Sequence, residues 1–74
     1  MNSKTVLNTI IHGAHESRIL IDVSNHTLKM DRKNLRIVEM EDEDSVYIYD
    51  EKRNNEYLIH TPAVKSIRVI GGRE

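Results

Sequence analysis

The amino-acid sequence predicts a mainly β protein, in which a short N-terminal helix precedes a five-stranded, strongly bent antiparallel sheet or small barrel. From Arg18 onward, short runs of alternating apolar and polar residues predict the strands. Clusters of Ser, Asn and Lys between these runs are typical of turns, and only the first residues have helical spacing. We interpret residues 1–74 as one small domain, with the helix at 3–13, the sheet at 18–70 and a tail at 71–74.

The N-terminal segment has apolar residues at positions i, i+1, i+4 and i+5, which places them on one face of a helix. Ser3 is the predicted N-cap and Gly13 the predicted stop. The alternative is a strand, because β-branched residues are frequent in this segment and pack well in a pleated sheet. The residues on the predicted helix face are Val6, Leu7, Ile10 and Ile11.

The first predicted strand is 18–23, where apolar and polar side chains alternate. Residues 24–26, Ser-Asn-His, supply the following turn, because their side chains can bond nearby backbone groups.

The second predicted strand is long and bent and runs from Thr27 to Met40, with an interruption at 31–34. The apolar pattern changes phase between Ile37 and Val38, which predicts a β-bulge there. Strong bending of this strand would close a small sheet into a barrel.

The last three predicted strands are 45–50, 56–60 and 65–70. The turn at 52–55 ends in two Asn residues that tolerate left-handed backbone geometry. The corner at 61–63 is Thr-Pro-Ala, whose proline fixes φ and lacks a backbone donor.

The order of these elements resembles that of Sm-like proteins. The stretches that carry the resemblance are the short N-terminal helix, Arg-Ile-Leu-Ile-Asp-Val-Ser-Asn at 18–25, the bent strand through Met40, Ser-Val-Tyr-Ile-Tyr-Asp at 45–50 and Ala-Val-Lys-Ser-Ile at 63–67. The resemblance implies a small barrel and assembly into rings through strand edges.

Size and composition favour self-association in the cytoplasm. The chain has no cysteine, so no disulfide can stabilise its small core, and domains of this size commonly gain stability by forming oligomers. We also expect no membrane span, because no apolar run reaches about 18 residues. The start at 1–4 lacks the basic and apolar regions of a signal peptide.

Charge is unevenly distributed along the chain. Residues 1–38 carry six Lys/Arg against three Asp/Glu, residues 39–51 carry seven acids and no base, and residues 52–74 carry five bases against two acids. The acidic segment 39–51 is either a solvated turn or a surface that engages a basic protein partner. The second interpretation describes a small protein-interaction or inhibitor module, of the kind that phages and mobile elements encode.

The tyrosines indicate a candidate binding face. Tyr47 and Tyr49 are two apart in a strand and therefore share a face. If that face is outward, the rings can stack on bases or on a nucleotide-like ligand. Alternatively, the pair is a core or subunit contact. The predicted ligand-binding residues are Tyr47, Tyr49, His60, Lys65 and Arg68.

Catalytic and metal sites have little support in the sequence. No glycine-rich phosphate loop, nucleophile elbow or closely spaced carboxylate pair is present. His12, His15 and Glu16 lie close together, but no third metal ligand is fixed by spacing. We therefore expect no catalytic residues, no metal and no cofactor. The function predicted first is a non-enzymatic binding module that recognises RNA or a nucleotide as an oligomer.

Overall fold

The computed structural model describes residues 2–38 and 40–71. It is mainly β with one N-terminal helix, which confirms the coarse fold class and rules out the strand alternative for the first segment. The predicted tail lies outside the described residues except for its first glycine. The elements are α1 Ser3–Ile11, β1 Ser17–Val23, β2 His26–Asp31, β3 Leu35–Val38, β4 Ser45–Asp50, β5 Asn55–His60 and β6 Val64–Gly71, with 3-10 turns at Arg32–Asn34 and Thr61–Ala63.

The helix begins and ends slightly earlier than predicted. Asn2, not Ser3, is the N-cap, because its side-chain oxygen accepts from the Thr5 amide at 2.9 Å. The helix ends at Ile11 instead of continuing to Gly13. Of the predicted helix face, Val6 and Ile10 are buried and Leu7 is partly buried, but Ile11 is 51% exposed.

The strands form two antiparallel three-stranded sheets. Sheet A has the order β2-β1-β6, and sheet B has the order β3-β4-β5. The prediction of five strands was therefore wrong by one. The predicted long strand is divided by the 3-10 turn Arg32–Asn34, so its two halves belong to different sheets. Over the residues that the structure describes, these are two separate sheets and not one closed barrel.

The predicted bulge at Ile37 and Val38 was also wrong. The two residues pair regularly with Ile48 and Tyr47 of β4. The change of phase arises because Val38 points outward, with 44% of its surface exposed. The register shift occurs elsewhere, between Asp22 and Val23 in the pairing of β1 with β6.

The core lies between the two sheets and the helix and is aliphatic apart from one methionine. On β4, Val46 and Ile48 point into it, which turns Tyr47 and Tyr49 to the opposite face. The corner Thr61–Ala63 joins β5 to β6 as the proline predicts. The buried core residues are Val6, Ile10, Ile19, Ile21, Met30, Val46, Ile48, Ile59 and Val64.

None of the helices in residues 2–38 and 40–71 has the length and apolarity that crossing a bilayer requires.

Candidate functional site

The outer face of sheet B carries both tyrosines of the predicted site. We define this face as the side chains of β3, β4 and β5 that point away from the core. The pairing register aligns Val38 with Tyr47 and Tyr47 with Leu58 in one row across the sheet. The next row is formed by Arg36, Tyr49 and Glu56, and Ser45 pairs with His60 at the end of the sheet.

The two tyrosine rings are held by hydrogen bonds at their hydroxyl ends. The Tyr47 hydroxyl donates to Glu56 Oε2 at 3.2 Å, and the Tyr49 hydroxyl donates to Asn54 Oδ1 at 2.6 Å. Partial burial, followed by the bond to Glu56, raises the pKa of Tyr47 above its ordinary value of 10.0. Both rings are half-buried, so each keeps part of its surface open to a ligand.

Charges of both signs lie beside the tyrosines. The guanidinium of Arg36 is 3.0 Å from the Glu51 carboxylate, and Glu56 accepts from Tyr47. His60 is exposed at the end of β5. The outer face of sheet B is therefore mixed in charge, with an apolar row through Leu58, which is 67% exposed.

Lys65 and Arg68 lie on a different sheet. Arg68 is on β6, opposite Leu20, and its Nη2 donates to Asp22 Oδ1 at 3.1 Å. Asp22 faces Ser66 and Val23 faces Val64, so Lys65 is the extra, exposed residue of the bulge. Within one chain, the structure brings Tyr47, Tyr49 and His60 onto one face of sheet B. The two basic side chains of the predicted site lie in sheet A.

Sequence reasoning missed the polar cluster around Asp22. Its carboxylate accepts from Ser66 Oγ at 2.6 Å, from Thr27 Oγ1 at 2.5 Å and from Arg68. These bonds, with Ser66 contributing most and Thr27 next, lower the pKa of Asp22 from 3.8 to about 2. The cluster joins β2, β1 and β6. No local sequence pattern could predict it, because Ser66 and Arg68 lie more than 40 residues from Asp22 along the chain.

A cavity of about 370 Å³ lies between β5 and the turn that joins β1 to β2. Its apolar surface includes Leu28, Tyr57 and Ile59, while His26 and His60 supply polar groups. Tyr57 differs from the other two tyrosines because it pairs with Ile48 and packs against the core. Leu58 and His60, which share the face of Tyr47, also line the cavity, so it lies along the edge of β5 that is not paired with β4.

The N-terminal histidines do not form a metal site with their neighbours. His12 Nδ1 lies 2.8 Å from the Asn8 carbonyl oxygen, within its own helix end. His15 and Glu16 are both exposed, and His15 Nε2 lies 3.9 Å from Glu16 Oε2. In the part of the chain that the structure describes, no group of three or more His, Cys, Asp or Glu residues is placed to bind a metal ion.

The two sheets present four edges, and they differ in character. β2 carries an exposed Lys29, and β3 is only four residues long, both features that discourage strand addition. By contrast, β5 exposes Leu58, and β6 exposes Val69 and Ile70 at 41% and 49%. β5 has no lysine, and the exposed Lys65 of β6 lies at the bulge near the start of that strand, before Val69 and Ile70. The edges of β5 and β6 are therefore better suited than the other two to pairing with another strand.

Comparison of the chain with protein-family models, with curated proteins and with solved structures finds no match in any of the three.

Proposed function

We propose that this protein is a non-enzymatic binding module that self-associates through β5 and β6 and binds single-stranded RNA or a nucleotide-like ligand. The observation that carries the proposal is the outward position of Tyr47 and Tyr49 beside exposed Leu58 and His60. Aromatic side chains on the face of a sheet are platforms on which bases stack.

The chemistry of the tyrosines supports stacking. A tyrosine phenol of ordinary pKa, 10.0, is already neutral at physiological pH, and the pKa of Tyr47 is raised further, so neither effect places a negative charge on this ring. The hydroxyl bonds to Glu56 and Asn54 hold the two rings in place, which reduces the side-chain entropy lost when a base binds.

Self-association explains how the five predicted ligand-binding residues act together. Pairing of β6 from one copy with β5 of the next is a head-to-tail contact, which produces a ring when the rotation closes. Such pairing would bring Lys65 and Arg68 of one copy beside His60 of its neighbour. These two basic side chains would then lie next to the tyrosine face, which by itself carries charges of both signs.

We also propose an Sm-like small barrel as the finer description of the fold, in a form whose two halves are separate sheets that strand pairing does not close. The two sheets share one core, and both the 3-10 turn Arg32–Asn34 and the corner Thr61–Ala63 carry the chain from one sheet to the other. This is the arrangement expected of a small barrel whose halves are connected by tight turns.

Titration with labelled single-stranded RNA tests the proposal. Y47A and Y49A should each weaken binding by about 5- to 150-fold, because stacking of one base contributes about 1–3 kcal/mol. The matched controls Y47F and Y49F keep the rings and should bind nearly as well as the original chain. Binding should also weaken as salt is raised, since phosphate contacts release counterions.

Two results would contradict RNA binding. Flat titration curves at both low and moderate salt would remove RNA as the ligand. Equal affinities for the alanine and phenylalanine variants would show that the tyrosine face does not contact RNA. Because both side chains point away from the core, unfolding midpoints of all four variants should remain close to that of the original chain.

A further inference from the structure

A second surface, distinct from the outer face of sheet B, lies between the helix and the loop at 40–44. A groove of about 480 Å³ separates the two, and we call it the α1 groove. The residues that line it are Ser3, Lys4, Leu7, Asn8 and Ile11 of α1 together with Met40, Glu41 and Glu43 of the loop.

The α1 groove has apolar side chains on both sides. Leu7 and Ile11 are four residues apart on the helix and form a stripe along one side. Ile11 is 51% exposed, and Met40 on the facing loop is 39% exposed. Methionine adapts its shape to different partners, which suits a surface that receives another chain.

The wall formed by the loop is acidic. Glu41 and Glu43 line the groove, and both are exposed. Among the described residues, none of the four acids at 41–44 lies within 4.0 Å of a Lys, Arg or His nitrogen. Lys4 of α1 also lines the groove, so its lining carries two negative charges, Glu41 and Glu43, against one positive charge, and the groove keeps a net negative charge for a basic partner.

Hydrogen bonds of the backbone and of Asp42 fix the loop at 40–44 in its position beside α1. The Ser3 amide at the start of α1 donates to the Glu43 carbonyl at 3.0 Å. Asp42 closes the loop, because its carboxylate accepts from the Asp44 amide at 2.8 Å and from Ser45 Oγ at 3.2 Å. Asp44 is in turn tied to the Thr61 amide through its carbonyl at 2.8 Å. The surface is thus formed before a partner arrives, which lowers the entropy lost on binding.

We propose that the α1 groove binds a basic amphipathic helix of a partner protein. The apolar stripe of such a helix covers Ile11, Leu7 and Met40, while its Lys and Arg residues meet Glu41 and Glu43. A helix is favoured over an extended peptide, because the α1 wall offers no strand edge to which a peptide could add. The acidic wall also repels nucleic acid and anionic lipid. This proposal does not depend on RNA binding by sheet B.

A synthetic peptide provides a direct probe. The peptide is a fluorescent Leu/Lys helix of about five turns, long enough to be partly helical alone, with leucines at i, i+3, i+4 and i+7. Anisotropy should show saturable binding that weakens with salt. A peptide of the same composition in scrambled order, without an apolar face, should not bind.

Variants in the groove separate the apolar from the charged contribution. I11S should weaken binding about tenfold or more, as expected for a central apolar contact, and M40S should act in the same direction. The matched control V38S removes an apolar side chain of similar exposure, 44% against 51% for Ile11, outside the groove and should leave the affinity unchanged.

A charge exchange tests the acidic wall. E41K/E43K should lose the basic peptide and should instead bind a peptide in which glutamates replace the lysines, whereas E51K outside the groove should behave like the original chain. Circular dichroism and urea midpoints confirm that each variant is folded.

Several results would overturn the proposal. Equal binding of the scrambled peptide would reduce the effect to general charge attraction, and unchanged affinity of both I11S and M40S would show that the groove is not used. Binding of the original chain to anionic lipid vesicles but not to the peptide would assign the surface to membranes. A change of oligomeric state in I11S, with no peptide binding, would assign it to a second copy of this chain.

Discussion

At the scale of single residues, Asp22 connects three strands. It lies on β1 and accepts hydrogen bonds from Thr27 on β2 and from Ser66 and Arg68 on β6. Each bond favours the ionised carboxylate, with Ser66 and Thr27 contributing most, which is why the pKa of Asp22 falls to about 2 although desolvation acts in the opposite direction. Protonation of this one group therefore weakens contacts on both sides of the central strand of sheet A.

We expect the stabilisation from Asp22 to disappear in acid. Its folded-state pKa of about 2 lies below the ordinary value of 3.8, so the unfolded chain binds more protons between these values. The contribution is thus fully present above pH 3.8 and is lost as the pH falls through about 2. Urea unfolding at several pH values should show that the original chain has a higher free energy of unfolding than D22N, and that this difference becomes smaller as the pH falls over this range.

The variant S66A serves as the comparison for this prediction. It removes the donor that contributes most to the low pKa, so the pKa of Asp22 in the folded chain rises toward 3.8. The difference in unfolding free energy between S66A and S66A/D22N should therefore begin to narrow at the same pH, which the unfolded chain sets, but should narrow by less and stop at a higher pH. Parallel stability curves for the original chain and D22N down to pH 2 would contradict the assignment.

At the scale of elements, Arg32 joins the helix to the sheets. Its Nε donates to the Ile10 carbonyl at 2.9 Å, close to the end of α1. A cation at a helix C-terminus interacts favourably with the helix dipole, and Arg32 adds a second bond to a carbonyl that also accepts from the Gly13 amide at 3.0 Å. Arg32 lies in the 3-10 turn between β2 and β3, so this bond fixes α1 against the point where the chain changes sheets.

Substitution of Arg32 should therefore destabilise the fold. R32M keeps the aliphatic part of the side chain and removes the charged donor, and it should lower the free energy of unfolding by about 1–2 kcal/mol. The neighbouring variant K33M removes only an exposed contact of 3.8 Å with Glu16 and should cost less than about 0.5 kcal/mol. Equal urea midpoints for the two variants would show that the bond to α1 contributes nothing.

At the scale of the whole molecule, the open edges of β5 and β6 determine how copies can associate. The core is small and aliphatic. β5 has no lysine, and the exposed Lys65 of β6 lies at the bulge near the start of the strand, away from Val69 and Ile70. Pairing of the two edges would cover Leu58, Val69 and Ile70 and would add hydrogen bonds between strands.

Light scattering after size-exclusion chromatography tests this association. The original chain should have a mass several times that of one copy, and L58E should be reduced to the single-copy mass because it places a charge in the interface. The control I11E adds the same charge at an exposed apolar position on α1 and should keep the larger mass. A single-copy mass for the original chain at every concentration would exclude the subunit-boundary site.

Local patterns were sufficient for much of the architecture. The alternation in 45–50 predicted that Tyr47 and Tyr49 share a face, and the structure places that face outward. A turn between β4 and β5 is confirmed, with Asn54 at a φ of 56°, but it spans 51–54, and Asn55 is already the first residue of β5. The prediction of a bulge at Ile37 was wrong. Two consecutive apolar residues can mean either a bulge or one apolar side chain exposed to solvent, and the sequence does not distinguish the two.

The acidic segment shows where pattern reasoning ends. As a run of charges, 39–51 looks like one surface, but its described members have different roles. Asp50 is fully buried and accepts from the Lys52 and Arg53 amides, while Asp42 closes its own loop. Only part of the segment is left to face a partner, and burial separates these roles.

The sequence by itself determined the short helix, the succession of strands and turns, and which side chains of each strand point the same way, because these depend on neighbours a few residues apart. The tertiary structure decided that the long predicted strand serves two sheets, that Lys65 and Arg68 lie apart from the tyrosines, and that α1 and the loop at 40–44 enclose a groove. Each of these depends on pairing between residues distant in the chain, and such pairing is selected by the packing of the complete core and not by local preference.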